Sequence, residues 1–376
     1  MKPDKNHCAL SRKRTGFILF ASAVAILTAV IAASAAPSFA AARTVVDHAG
    51  NTVSLPDKID RIAIASIWPL PSVYCLFEGS AEKLVGIGET SMSAARNSML
   101  AVVMPSIVNV STGFLRNGNL NIEELLKLKP DIVFYNADNP VDNKDTFDKA
   151  GIPAVAFSTT HKGSDTIATL ESWASLLGEV LRQEDRAAGI VSYGRAVHNE
   201  ITSAIAKAPG IKRPRALILF EYDDNVIVTA GSDAFGQYWL ESTGAINVAR
   251  DLKDYPEINM EQIYKWDPEI IFITNFSPRL PEDLLNNTIE GHDWKNVTAV
   301  KNKQVFKFPL GMYRWYPPAS DTPLVLKWLA TKNQPELFRN TDMEKEVKDY
   351  YERFYGVNLS KDNLYRIFHP SRDAAR

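Results

Sequence analysis

Short apolar runs recur along this chain, each separated from the next by a stretch patterned at three- and four-residue spacing. In the first half the runs are Arg61–Ile67, Leu84–Ile87, Ile132–Tyr135 and Ala154–Phe157. In the second half they are Ala216–Phe220, Ile270–Thr274 and Val305–Phe308. Runs of this length read as buried strands, and helical segments between them predict mostly parallel α/β sheets. Thr44–Leu55 alternates about Ala49-Gly50-Asn51, which predicts a hairpin. Phe235–Gly244 predicts a helix that stops at its glycine.

One pattern occurs twice. Asn121–Phe134 (NIEELLKLKPDIVF) and Asn259–Phe272 (NMEQIYKWDPEIIF) align at a separation of 138 residues, with Asn121/Asn259, Glu123/Glu261, Lys127/Lys265, Pro130/Pro268, Ile132/Ile270 and Phe134/Phe272 identical. Each copy predicts a short amphipathic helix, a turn at proline and a buried strand. A period this long implies two similar lobes rather than a solenoid. Two lobes leave a cleft between them, the usual place for a small ligand.

Between the copies, Ser164–Ala208 reads as helix, with an interruption expected at Gly178. Its second part, Glu184–Lys207, aligns Ile190, Tyr193, Val197, Ile201 and Ile205 on one face. At 1.5 Å per residue it would form a rod of about 36 Å joining the lobes. After Pro323 the chain turns helical again over Leu324–Leu329, Asp342–Phe354 and Lys361–Ile367. Tyr350, Tyr351, Phe354, Tyr355 and Tyr365 are expected to pack this tail as a cover on the second lobe.

The chain opens on a basic segment (Lys2, Lys5, Arg12, Lys13, Arg14), an apolar run from Phe17 to Ala36, and Ser38-Phe39-Ala40 as a small-x-small cleavage site. The expectation is a cleaved signal peptide over 1–40 and an exported protein; a retained anchor is the alternative. Cys8 precedes the apolar run and so is not placed for lipid attachment after it. Loss of five basic residues and Asp4 takes the formal charge from −2 to −6. A mildly acidic chain is no general binder of nucleic acid or anionic membrane. Cys75 alone remains, which excludes an internal disulfide and a Cys-rich metal site.

The ordered set of segments DHAGNTVSLPDKIDRI, KLVGIGE, NIEELLKLKPDIVF, TAGSDAFGQYWLESTGAINVA, NMEQIYKWDPEIIF and WKNVTAVKNKQVFKFP, together with the bridging helix and leader, resembles a periplasmic substrate-binding protein of ABC importers. It is similar to the class that handles ferric siderophores, haem and vitamin B12, over roughly Arg43–Leu329. The resemblance implies two Rossmann-like lobes with mostly parallel sheets joined by a long rigid α-helix. The ranges expected are a first lobe at 43–160, a helical linker at 161–210, a second lobe at 211–320 and a helical extension at 321–376. It further implies a monomeric, non-enzymatic receptor with small closure, which docks one acidic residue per lobe on Arg residues of a membrane permease. Glu123 and Glu261 fall on those positions. Both also sit where a helix dipole favours acid, behind Asn121 and Asn259 as caps.

Ligands in open α/β sheets lie beyond the carboxyl ends of strands. That rule selects Tyr313, Arg314, Trp315 and Tyr316 in GMYRWYPP, where a cation among aromatic rings suits an organic chelate with negative charge. Loop position adds Trp68, Thr90, Ser91, Tyr135, Tyr222 and Asn275. His48, His161, His198, His292 and His369 are scattered, so no protein metal site and no resident cofactor are expected. Met92, Met99 and Met104 read as core filling rather than copper ligation. No G-x-S-x-G elbow, H-E-x-x-H or P-loop supports a hydrolase. The expected cargo is an iron-containing chelate, a ferric siderophore foremost, with haem, cobalamin, another metal complex or an oxyanion such as molybdate as alternatives.

Overall fold

The computed structural model describes residues 43–139 and 144–375. The proposed leader lies outside them. Among the described residues no helix is long and apolar enough to cross a membrane.

The described chain begins with the antiparallel hairpin β1 (Thr44–Val46) and β2 (Thr52–Ser54). There follow β3 (Ile62–Ile64), α1 (Leu70–Glu78), β4 (Leu84–Ile87), α2 (Glu89–Asn97) and α3 (Met99–Val103). A two-residue-per-strand hairpin, β5 (Leu115–Arg116) and β6 (Asn119–Leu120), precedes α4 (Ile122–Lys127), β7 (Ile132–Asn136), α5 (Lys144–Lys149) and β8 (Ala154–Phe157). The larger strands form one parallel sheet in the order β4-β3-β7-β8.

α6 (Thr166–Leu181) and α7 (Glu184–Ala206) come next. Asp165 caps α6, its carboxylate accepting from the Ala168 amide at 2.8 Å. The expected break at Gly178 is corrected: α6 runs through Gly178 and stops at Arg182, whose φ of 57° is left-handed. Gly178 instead lets the two helices touch, since a Cβ there would lie 2.8 Å from that of Ala187. α7 spans 23 residues, about 35 Å. Ile190, Val197, Ile201 and Ile205 are buried along its predicted stripe, with Tyr193 half-buried.

The second lobe holds β9 (Arg215–Tyr222), β10 (Ile227–Thr229), α8 (Phe235–Ser242), β11 (Ile246–Asn247), α9 (Met260–Trp266), β12 (Ile270–Ile273), α10 (Pro281–Leu285), α11 (Thr298–Lys301) and β13 (Val305–Lys307). Its parallel strands run β11-β9-β12-β13, and β10 adds antiparallel to β9. Counting the parallel strands of each sheet in chain order, both read 2-1-3-4. The repeated segment occupies the same place in each. Asn121 caps α4 by accepting from the Glu124 amide at 3.1 Å, and Asn259 caps α9 by accepting from that of Gln262 at 3.0 Å. Lys129 and Asp267, equivalent in the repeat, both turn left-handed (φ 48° and 42°) just before the proline. β7 and β12 then pair with β3 and β9 in matching register, Ile132 against Ile62 and Ile270 against Ala216.

The tail forms α12 (Thr322–Asn333), α13 (Met343–Tyr355) and α14 (Lys361–Phe368). It covers more than the second lobe. α12 packs on α7 as well as on α8, and the Tyr350 ring of α13 lies 5.4 Å from that of Tyr193 on α7. Tyr350 and Tyr351 are buried, whereas Tyr365 is 64% exposed and does not pack as expected. One apolar cluster runs unbroken from Ile62 and Ile64 through α6 and α7 to Ile218, Phe272 and α12. Met92, Met99 and Met104 belong to it.

Candidate functional site

The carboxyl ends of the two sheets face one cavity of about 840 Å³. From the first lobe Ser66 and Trp68 follow β3, Gly88 and Thr90 follow β4, and Asn136 and Asp138 close β7. From the second lobe come Phe220, Phe235, Tyr255, Phe276, Tyr313 and Tyr316. Both sheets therefore meet the cavity beside the point where their strand order reverses. A hollow of about 1330 Å³ on the outer face, between α10, β13, α12 and α14, draws on the second lobe and tail alone and lies away from these strand ends.

Four of the sequence-selected residues border the cavity: Trp68, Thr90, Tyr313 and Tyr316. Six do not. Ser91 turns under the rim, its hydroxyl donating to the Trp68 carbonyl at 3.1 Å. Tyr135 packs its ring 5.3 Å from Phe147 in the first-lobe core. The Tyr222 hydroxyl lies 2.6 Å from His292 Nδ1 and accepts from the Trp294 indole at 3.1 Å. Asn275 donates to the carbonyls of Phe308 and Pro309 at 2.9 and 2.8 Å. Trp315 is buried against Phe368. Arg314 is 4% exposed, stacks 4.6 Å over the Phe276 ring and donates from Nε to the Ala374 carbonyl at 3.1 Å.

Side-chain alternation explains two of these displacements. Successive residues at a strand end point to opposite faces. Thus Asn136 rather than Tyr135 and Glu221 rather than Tyr222 reach the cavity; in the turn beyond β12, Phe276 does so and Asn275 does not. Tyr255 and Phe235, on a loop and a helix start, carried no strand-end signal.

Rings dominate the second-lobe wall. Phe220 lies 4.4 Å from Tyr255, 4.9 Å from Phe276 and 5.4 Å from Tyr316 between centroids. The Tyr316 hydroxyl accepts from the Gly236 amide at 3.1 Å and donates to the Tyr255 hydroxyl at 3.5 Å. Burial pushes the Tyr316 phenol well above its ordinary pKa and raises that of Tyr313. Both are neutral hydroxyls at working pH, not phenolates ready for a metal.

The first-lobe wall is polar. Asp138 loses hydration on burial, yet hydrogen bonds from Ser158, Thr159 and Thr160 outweigh that loss and hold its pKa low. Its oxygens accept from Ser158 Oγ at 2.7 Å, from the Thr159 amide at 2.7 Å and from Thr160 Oγ1 at 3.0 Å. Asp138 thus ties the loops after β7 and β8 into one rim. No Lys or Arg among the described residues borders the cavity, and no three His, Cys, Asp or Glu converge on a metal position.

Beside the cavity the lobes are also linked directly. The Met99 amide donates to the Gly311 carbonyl at 2.8 Å, and Ser98 Oγ to the Met312 carbonyl at 3.1 Å. Asp321 fixes the same loop by accepting from the Met312 amide at 2.6 Å.

Glu123 and Glu261 are exposed in the first turns of α4 and α9. Neither forms an ion pair among the described residues.

A profile of the periplasmic binding protein family matches residues 70–309. The molybdate-binding protein MolA of Haemophilus influenzae is 26% identical over 358 residues, 91% of this chain and 99% of that protein. The Fe(3+)-citrate-binding protein YfmC of Bacillus subtilis is 22% identical over 187 residues, 50% of this chain and 57% of that protein. The crystal structure of a periplasmic solute binding protein from Veillonella parvula superposes with a TM-score of 0.79 at 32% identity, covering 86% of this chain and 96% of the other. With its two like-ordered sheets and the cavity between their carboxyl ends, the chain belongs to the periplasmic binding proteins, the non-enzymatic solute receptors of ABC-type importers.

Proposed function

We propose that this receptor captures a metal chelate of small-molecule size in the inter-lobe cavity and delivers it to an ABC permease in the inner membrane. The observation that carries the reading is the cavity itself. About 840 Å³ edged by seven aromatic side chains matches the size and lining of an organic-ligand site rather than that of a bare cation. Neutral tyrosine hydroxyls and the Asn136 amide supply orienting hydrogen bonds, and Trp68, 47% exposed at the rim, offers a flat face to a chelate. A ferric siderophore or ferric citrate fits this description. A second reading, a tetrahedral oxyanion, is favoured by the molybdate-binding relative that matches 91% of the chain.

Export through a leader cleaved near Ala40 and permease docking through Glu123 and Glu261 complete the proposal. The two carboxylates stand on equivalent, exposed helix turns of a duplicated segment. A permease entrance with one Arg on each side could pair with both.

Native mass spectrometry of protein taken from the periplasm would identify the cargo by mass. Trp68 should report the same event in solution, with fluorescence quenched by ferric chelates and not by iron-free chelators. Quenching by molybdate alone would select the oxyanion. No response to any of these solutes would refute both. Replacing Glu123 and Glu261 by Ala should leave solute affinity unchanged and reduce uptake; undiminished uptake would remove the docking role.

A further inference from the structure

Beyond α14 the chain turns back toward the cavity. Arg372–Ala375 forms a short helical turn that is pinned to the second lobe at two points. Arg372 grips Asp283 with both guanidinium arms, at 2.7 and 2.6 Å, and donates to the Pro278 carbonyl at 3.1 Å. Two residues on, the buried Ala374 accepts from Arg314 Nε. Ala375 then reaches the cavity wall itself. The same turn packs against α2 of the first lobe, the helix that carries Thr90.

Arg314 stands one layer behind the wall. Its neighbour Tyr313 and the ring on which it stacks, Phe276, both border the cavity. Its own guanidinium is covered, and one of the groups satisfying it is a carbonyl of the turn. A cation adjoining a ligand cavity is a strong attractant for carboxylate or oxyanion edges when exposed, and contributes far less once a neutral carbonyl occupies it.

We propose that Arg372–Ala375 is a strap that masks Arg314 and thereby sets the charge selectivity of the cavity. With the strap latched by Arg372 and Asp283, the wall presents rings, neutral hydroxyls and the acidic side chains of Glu89, Asp138 and Glu221, with no cation among the described residues. With the strap displaced, Arg314 joins the wall and the site gains an anion anchor. This inference rests on the cavity being the solute site, and its ligand class would be carboxylate-bearing chelates and oxyanions competing with the Ala374 carbonyl.

The test compares the full chain, a form ending at Ser371, and the full-length latch variant Arg372→Gln. Phenylglyoxal labelling read by peptide mass spectrometry follows access to Arg314 without any solute. Labelling should be slow in the full chain, faster by about tenfold in the shortened form and intermediate in Arg372→Gln. Affinity for ferric citrate should rise by about tenfold in the shortened form, the worth of one charge-assisted hydrogen bond. Adding Arg314→Gln should abolish that gain. Equal labelling in all three proteins would overturn the strap, as would a gain in affinity that survives Arg314→Gln. If neither ferric citrate nor molybdate binds any form while labelling still follows the latch, the ligand class fails and the mask stands. Far-UV circular dichroism confirms folding of the shortened form, and Arg372→Gln carries the labelling test should that form not fold.

Discussion

Replacing Asp321 by Asn should make the protein more stable, and by an amount that depends on pH. Asp321 is fully buried at the head of α12, and its Oδ2 accepts from the Met312 amide at the base of the aromatic loop. Burial pushes its pKa up to about 7 from 3.8, with the Met312 hydrogen bond opposing only part of that rise. The folded protein therefore holds a proton that the unfolded chain releases between those values. Below pH 4 both states are protonated and the residue contributes no slope. From pH 4 to 7 the unfolded state loses its proton first, so stability falls as pH rises, and above 7 the loss is complete. The gap between 3.8 and about 7 corresponds to about 4 kcal/mol. Asn keeps an acceptor for the Met312 amide and carries no charge. The variant-minus-wild-type stability should thus climb by up to about 4 kcal/mol between pH 4 and 7 and level off above 7. Taking the difference cancels other titrations, such as that of His48, which burial and the facing His161 lower to about 4 and whose contribution to stability rises with pH from 4 to 6.5. Urea unfolding of both proteins at pH 4, 5.5, 7 and 8.5 measures the curve. A difference that stays flat across this range would refute an acid buried with its proton.

Gly178→Val should destabilise by about 1–3 kcal/mol through overpacking against Ala187, visible as a lower urea midpoint with an unchanged slope. Asn121→Ala and Asn259→Ala should each cost about 1 kcal/mol, and the double variant should show their sum, because the two caps serve separate helices. Tyr316→Phe should weaken solute binding modestly and cost about 1 kcal/mol in stability, since the Gly236 amide loses its acceptor; unchanged stability by the same unfolding assay would argue against that hydrogen bond.

The sheets were legible because buried parallel strands must be apolar throughout, and LVGI and AVAF coincide with β4 and β8 to the residue. The repeat was legible for a chemical reason. Asn caps and the turn before proline are local requirements, and Asn121 and Asn259 meet them in the same way in both lobes. What the sequence left open was decided by neighbours distant in the chain. Gly178 resembles a helix breaker until Ala187 is seen pressed against it. Arg314 resembles a cavity cation until Ala374, sixty residues further along, is found at its Nε. Tyr135 and Tyr222 lay at the right strand ends but on the wrong face of them, because an alternation of period two turns a shift of one residue into a change of face.

The apolar cluster that passes without a break from one sheet, through α6 and α7, to the other has a consequence for how occupancy is announced. Swinging the halves widely apart would wet part of that interior at about 25 cal/mol for each Å² exposed, and would also sever the Met99–Gly311 and Ser98–Met312 bonds. A wide swing on solute capture is therefore disfavoured. A transporter that must tell a loaded receptor from an empty one would then have to read the mouth of the cavity, where the two walls meet, rather than the gross outline.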